Sequence, residues 1–338
     1  MIKRGNRYLR WIDRYIGIPL IACLRPFHRR RERPKEIKSI ALLKSAAIGD
    51  TVLLSAIIYD LQTSFPSAKI TLFTGPSNYE MAQLIPRIEV LLVTQLRTRA
   101  FSLWIDCDSW PRINALLSFF SRSAYRIGFN TPHQYRHFLY DQSVVHRSDR
   151  HELENYRDLL RALSIPATHL PKIVLPGSVK TEKLVVLHLH PGGSRAQAKM
   201  WSEGSWRELM RFLKQEGYEA VLTGGAKDRA ALEAFPEGRN AAGLPLRQTA
   251  ELLRSSHCVI SVDTGIMHLA AALGCRVIAL HGPTSPERWG AIGARVTAIT
   301  PPPPYHPYIS LGFEMTDAPY CSMQAISPEA VKGTFLKK

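Results

Sequence analysis

The residues able to do chemistry gather where apolar runs end in short polar turns. His257-Cys258-Val259-Ile260-Ser261-Val262 reads as a buried strand and gives way to Asp263-Thr264-Gly265-Ile266-Met267-His268, which opens a helix. Asp263 or Thr264 is suited to cap that helix, and its unbonded N–H groups and dipole make a phosphate site. His268 lies one turn past Thr264 on the same face. Taken alone, the motif is an ordinary capped helix with a satisfied histidine. It has company, however. His190-Pro191-Gly192-Gly193-Ser194 ends another strand, with Lys199-Met200-Trp201 soon after, and a glycine-rich turn beside a lysine again suits phosphate. Gly224-Gly225-Ala226-Lys227-Asp228 ends a third strand, where Asp228 is either a helix-start carboxylate or an acceptor for a ribose hydroxyl. His281-Gly282-Pro283-Thr284-Ser285-Pro286 ends a fourth. Together these turns point to a ligand bearing a nucleoside diphosphate.

Earlier in the chain, Gly49-Asp50-Thr51 follows the strand Ile40-Ala41-Leu42-Leu43-Lys44. The glycine lets the chain turn sharply, and Asp50 is either the N-cap of the next helix or a general base. A departing nucleoside diphosphate carries negative charge that a metal, a lysine or a helix N-terminus must stabilise. Lysine and helix termini are read here, and no carboxylate-rich metal motif such as D-x-D is read in either half.

The elements that must position these residues alternate. Strands at 40–44, 69–74, 89–93 and 102–106 interleave with helices at 51–64, 79–84 and 112–121, the signature of βαβ units on a parallel sheet. A helix at 152–163 precedes a proline-rich break, Pro166 to Pro176. The pattern then restarts with strands at 184–189, 219–223, 257–262 and 276–281 and helices at 205–215, 227–235, 246–254 and 264–273. In open parallel sheets ligands bind beyond the carboxyl ends of the strands, where the motifs above stand. The expectation is two doubly wound α/β domains facing a cleft: residues 39–174 for an acceptor and 175–338 for a donor, with the C-terminal tail packing back on the first domain.

At 338 residues the chain is long enough for two domains of roughly 100–200 residues each. A hydrophobic fraction of 45% with 21% charged residues excludes a disordered or fibrous chain. Of the formal net charge of +16, residues 1–38 supply +9 through 12 Lys and Arg against three acidic residues. On a helix, Tyr8, Leu9, Ile12, Tyr15 and Ile16 share one face and Arg7, Arg10 and Arg14 another. Two readings stand: a helix lying in the interface of an anionic membrane, or a surface helix docked on the body by the same apolar face. No nucleic-acid-binding motif accompanies the charge. The five cysteines (Cys23, Cys107, Cys258, Cys275, Cys321) form no C-x-x-C pair, which fits a reducing cytoplasm, with Cys258 and Cys275 as core residues. No apolar run reaches the roughly 18–20 residues of a membrane span, and a proline and following arginines argue against a cleaved signal at 16–24.

These motifs in this order resemble the bacterial lipopolysaccharide heptosyltransferases of glycosyltransferase family 9. Leu43 to Leu54 with Phe65-Pro66-Ser67-Ala68-Lys69-Ile70 is similar to the family's start, and Arg126-Ile127-Gly128-Phe129 with His190-Pro191-Gly192 through Lys199-Met200-Trp201 to its middle. Asp263 through Gly274, continued to Gly282-Pro283-Thr284, resembles its most diagnostic block. The resemblance runs over about 39–335 and implies a two-domain GT-B fold and an inverting, metal-independent transfer, with no cofactor beyond an ADP-sugar substrate. By position it implies Asp50 as the base and Lys199 as the group neutralising the leaving diphosphate. Gly193, Ser194, Asp263, Thr264, Gly265 and His268 would lie near the phosphates, Asp228 near the ribose, and Gly49 at the acceptor. The implied partners are a nucleotide-sugar donor, by this resemblance an ADP-heptose, a lipid-linked saccharide acceptor and, through residues 1–38, an anionic membrane surface. Nucleic acid is not expected. The protein is expected in the cytoplasm, peripheral on the inner face of the inner membrane. A non-catalytic nucleotide-sugar-binding or scaffold protein of envelope assembly is the alternative from another class.

Overall fold

The structure, a computed structural model, describes residues 7–96, 99–177, 183–193, 195–310 and 322–337. Ser194, Cys321 and most of the proline-led stretch 301–321 lie outside the described residues, as do the side chains of Tyr8 and Leu9. The chain divides into two compact units, residues 1–169 and 170–338.

The first unit runs α1 (Arg7–Tyr15), α2 (Gly17–Leu24), β1 (Ser39–Lys44), α3 (Ile48–Ser64), β2 (Lys69–Thr74), α4 (Tyr79–Ala82), β3 (Glu89–Leu92), β4 (Leu103–Asp106), α5 (Arg112–Phe120), β5 (Tyr125–Asn130), β6 (Gln142–Val145) and α6 (Glu152–Arg161). Its six strands are parallel in the order β3-β2-β1-β4-β5-β6. The second unit runs β7 (Leu184–His188), α7 (Glu203–Gln215), β8 (Glu219–Thr223), α8 (Arg229–Glu233), β9 (Arg239–Asn240), α9 (Leu246–Ser255), β10 (Cys258–Val262), α10 (Gly265–Ala272), β11 (Val277–Leu280), α11 (Pro286–Trp289), β12 (Val296–Ile299) and α12 (Pro328–Leu336). Its strand order, β12-β11-β10-β7-β8-β9, is the same winding repeated.

In both sheets the winding direction reverses between the first and fourth strands, β1/β4 and β7/β10, and this switch point is where doubly wound sheets open a crevice for ligands. The central strands are buried along nearly their whole length, as strands covered on both faces must be, which is why they read as continuous apolar runs. The helices show why the sequence folds this way. In α7, Ser202 caps the N-terminus by accepting from the Ser205 N–H at 3.0 Å, while Trp206, Leu209, Met210 and Leu213 recur at helical spacing and bury against the sheet.

The C-terminal helix α12 packs on α7, β11 and β12, and Val331 and Phe335 join the core of the second unit. One expectation changes. The basic N-terminal segment is packed on the first unit, but not by the face the periodicity suggests. Tyr15 and Ile16 are exposed, and the contacts come from Asp13 and the α2 side instead. The Asp13 carboxylate accepts from the Arg112 N–H at 2.8 Å and its guanidinium at 2.7 Å, Gly17 lies against the Arg112 stem, and Ile21 is fully buried. Arg31 continues the strap, donating to the Ser123 carbonyl at 2.6 Å. Cys258 and Cys275 are buried, as expected of core residues. No helix among the described residues is long and apolar enough to cross a membrane.

Candidate active site

In the first unit the site grows from the carboxyl ends of β1 and β4, paired in register with Leu43 opposite Asp106. After Lys44 the chain turns at Ala47, whose φ is +78°, and α3 begins at Ile48. The sharp turn therefore belongs to Ala47. Gly49 sits inside the first turn of the helix, and Asp50 follows it rather than occupying the N-cap. A carboxylate in a first turn is favoured by the helix dipole. Asp50 Oδ2 is 2.9 Å from Lys44 Nζ, and that ammonium is also 2.9 Å from Asp108 Oδ1. Lys44 is 4% exposed and Asp50 17%.

Asp108 is firmly held. Its Oδ2 accepts from the Ser45 N–H at 2.7 Å, the Ser45 hydroxyl at 2.5 Å and the Asn114 amide at 2.7 Å. Burial pushes its carboxyl up, but Lys44 and the Ser45 donors more than reverse this and hold it at about 2. Behind it, Asp106 is wholly buried and accepts from Arg136 at 2.5 Å and from the Tyr140 hydroxyl at 2.6 Å. Asp106-Cys107-Asp108 is a D-x-D pair, which corrects the reading that neither half holds one; here both carboxylates are engaged by cations and hydrogen-bond donors. Lys44 and Asp108 are the residues that sequence reasoning missed. The rule that strand ends carry function, applied to β4, was the signal that could have found Asp108.

In the second unit, the expected residues stand at the ends of adjacent strands β11, β10, β7 and β8. Lys199 ends a single helical turn at Ala196–Lys199, and its Nζ is 2.8 Å from Asp263 Oδ2, just beyond β10. Burial pushes the Asp263 carboxyl up, but Lys199 above all, with His281 and His268, holds it at about 2. Burial also keeps His281 below the usual histidine value. Thr264 occupies the N-cap of α10 with extended backbone, and its side chain does not cap the helix. Gly265 is the first helical residue, and His268 is buried one turn on.

Gly193 adopts φ +84° in the turn after β7, a conformation that favours glycine, and a side chain there would meet open space. Asp228 Oδ2 accepts from the Gly225 N–H at 2.8 Å, which is the helix-start role, while its Oδ1 is 3.8 Å from His190 Nδ1. The structure thus brings Lys199, Asp263, Thr264, Gly265 and His268 together around the β10–α10 turn, with Gly193 and Asp228 on the neighbouring strand ends. Asp50 and Gly49 stand on the first unit, at the equivalent switch point. Among the described residues no group of three or more His, Cys, Asp or Glu is arranged to hold a metal ion.

Comparison with known proteins places the chain among relatives and solved structures. A stretch of the chain is 38% identical over 107 residues to lipopolysaccharide heptosyltransferase 2 of Salmonella typhimurium, covering 29% of this chain and 31% of that protein. The match thus spans about a third of the length of that relative. A longer match, 23% identical over 298 residues, covers 73% of this chain and 84% of lipooligosaccharide heptosyltransferase 2 of Haemophilus ducreyi. The fold is that of the E. coli heptosyltransferase WaaC solved with ADP, with a TM-score of 0.72 at 19% identity over 88% of this chain and 98% of that one. E. coli ADP-heptose lps heptosyltransferase II gives 0.70 at 22% identity, over 88% and 97%. Both units are therefore the halves of a GT-B fold. The model of glycosyltransferase family 9 (heptosyltransferase) matches residues 91–306, and the chain belongs to that family.

Proposed function

We propose that the protein transfers a heptose from an ADP-heptose to a lipopolysaccharide core or related envelope glycolipid, with inversion and without a metal. The observation that carries this reading is the ion pair of Lys199 with Asp263 at the N-terminus of α10, at the switch point of the second sheet. A cation, a helix N-terminus and the Gly193 turn supply the complement a diphosphate needs.

In the proposed reaction Asp50 takes the proton of the acceptor hydroxyl as its oxygen bonds to the anomeric carbon. The bond from that carbon to the β-phosphate oxygen breaks from the opposite side, and ADP departs with the electron pair, its charge met by Lys199 and the α10 N-terminus. Gly193, Thr264, Gly265 and His268 would line the phosphates, Ser194 is proposed beside them from sequence alone, Asp228 would reach the ribose, and Gly49 would let the acceptor approach Asp50. The names of the matched relatives support heptose and a lipopolysaccharide or lipooligosaccharide acceptor.

The same reading places the enzyme at the cytoplasmic face of an anionic membrane through its first 38 residues. Trp11 (53% exposed), Tyr15, Ile16, Leu20 and Phe27 (76% exposed) stand beside the exposed Arg14, Arg25, Arg29 and Arg30, a combination that suits an anionic interface. Sedimentation with anionic vesicles, compared with neutral vesicles and DNA at matched salt, tests the partner; preference for DNA would refute it.

The reaction is tested by a transfer assay with ADP- and UDP-sugars and core acceptors, with and without a chelator. Transfer from ADP-heptose, equal in both conditions, is expected. A UDP preference would overturn the donor, loss of activity with chelator the metal independence, and donor binding without transfer to any acceptor would favour a non-catalytic role.

A further inference from the structure

Resting on the reading of Asp50 as the base, we propose that Lys44 and Asp108 are its positioning residues: Lys44 holds Asp50 Oδ2 at the end of β1, and Asp108 holds the same ammonium from the end of β4. A general base paired one-to-one with a buried ammonium is a poor base, because the cation stabilises its ionised form. Here the same ammonium lies 2.9 Å from each of two carboxylates. A second carboxylate on one ammonium spends part of its attraction and adds a repulsion of its own.

The arrangement is built rather than incidental. Lys44 is buried, with its ammonium 5.6 Å from the centre of the Tyr156 ring. Asp108 Oδ2 is taken by Ser45 and Asn114, which turns Oδ1 to Lys44. The Asp108 N–H donates to Asp106 Oδ1 at 3.0 Å and its carbonyl accepts from Arg136, so the buried pair of β4 anchors it. Of the titratable groups around Asp50, Lys44 and Asp108 face it from the ends of β1 and β4, and Tyr156 from α6. Behind them, Glu152 is taken by His146 at 3.1 Å, and Asp106 by Arg136. The Tyr156 hydroxyl is pushed well up by burial and by Asp50, and stays neutral.

The test is the pH profile of kcat/KM for transfer from ADP-heptose, with ADP binding as the control for folding. Asp108→Asn removes one of the two carboxylates on Lys44, so the acid limb should move down by about one pH unit and the plateau should fall about tenfold. Lys44→Met removes the cation between two carboxylates, so the limb should move up by about one to two units, while Lys44→Arg should keep the wild-type limb. Opposite shifts are the signature, since a purely structural defect lowers the plateau without moving the limb in opposite directions. Unmoved limbs, or shifts of one sign, would overturn the inference. If Lys44→Met loses ADP binding, Asp108→Asn and Lys44→Arg still decide it. Full turnover by Asp50→Asn would instead remove the base itself, so the two failures are distinguishable.

Discussion

Lys199 and Asp263 form an ion pair, Nζ to Oδ2 at 2.8 Å, that ties the turn after β7 to the N-terminus of α10. In the proposed reaction this pair orients Lys199 before the donor arrives, so that the diphosphate would meet a cation at the helix end. Lys199→Ala should weaken ADP affinity and lower turnover together. It also strands a buried carboxylate, so stability should drop by about 3–5 kcal/mol. Lys199→Ala with Asp263→Ala should recover much of the stability but none of the turnover. Calorimetric ADP titration, turnover and denaturant unfolding check this, and unchanged ADP affinity in Lys199→Ala would contradict it.

His188 ends β7 fully within the sheet and bonds Thr223 Oγ1 at 3.0 Å. Burial, opposed in part by Asp228, lowers its pKa to about 4. A histidine depressed in the folded state is protonated first in the unfolded chain. Its neutral form therefore supports the fold above about 6.5, and that support fades as pH falls toward 4. The full effect is about 3 kcal/mol at 1.36 kcal/mol per pH unit. Denaturant unfolding of wild type and His188→Gln across this window should show the wild-type slope flattened in the variant; equal slopes would count against it.

Arg136 and Asp106 pair with no solvent exposure, and Tyr140 donates to the same carboxylate oxygen. Removing one partner leaves a buried charge, so Arg136→Met should cost about 3–5 kcal/mol. Because the pair anchors Asp108, turnover should fall as well, with ADP binding in the second unit retained. Unfolding curves with ADP titration provide the check.

Gly75 approaches the Ser45 carbonyl so closely that an added Cβ would lie 2.0 Å from that oxygen. Backbone cannot move aside cheaply, and Ser45 is the residue that holds Asp108. Gly75→Ala should destabilise the first unit by roughly 1–3 kcal/mol and reduce turnover more than ADP affinity. Wild-type unfolding and turnover in that variant would rule out the tight approach.

Much of this was legible in the sequence. The buried strands at 40–44, 69–74, 219–223 and 257–262 announce themselves as apolar runs, and the strand-end rule leads to Asp50, Lys199 and Asp263. The strands that escaped are short or polar. β5 carries Arg126, Gly128 and Asn130, β6 is a four-residue edge strand of alternating burial, and β9 has two residues. The turn at Ala47 could not be read, because alanine gives no sign of a positive φ. Lys44 and Asp108 escaped for a topological reason. They lie far apart in the chain, and only the parallel pairing of β1 with β4 sets their charges on either side of one ion pair.

The most direct test of the central claim is the turnover of Asp50→Asn with ADP-heptose and a lipopolysaccharide-core acceptor, measured beside its ADP affinity. Asp50 as the base predicts a loss of about 10²–10⁴ in turnover with ADP binding within twofold of wild type. Wild-type turnover in that variant would contradict it.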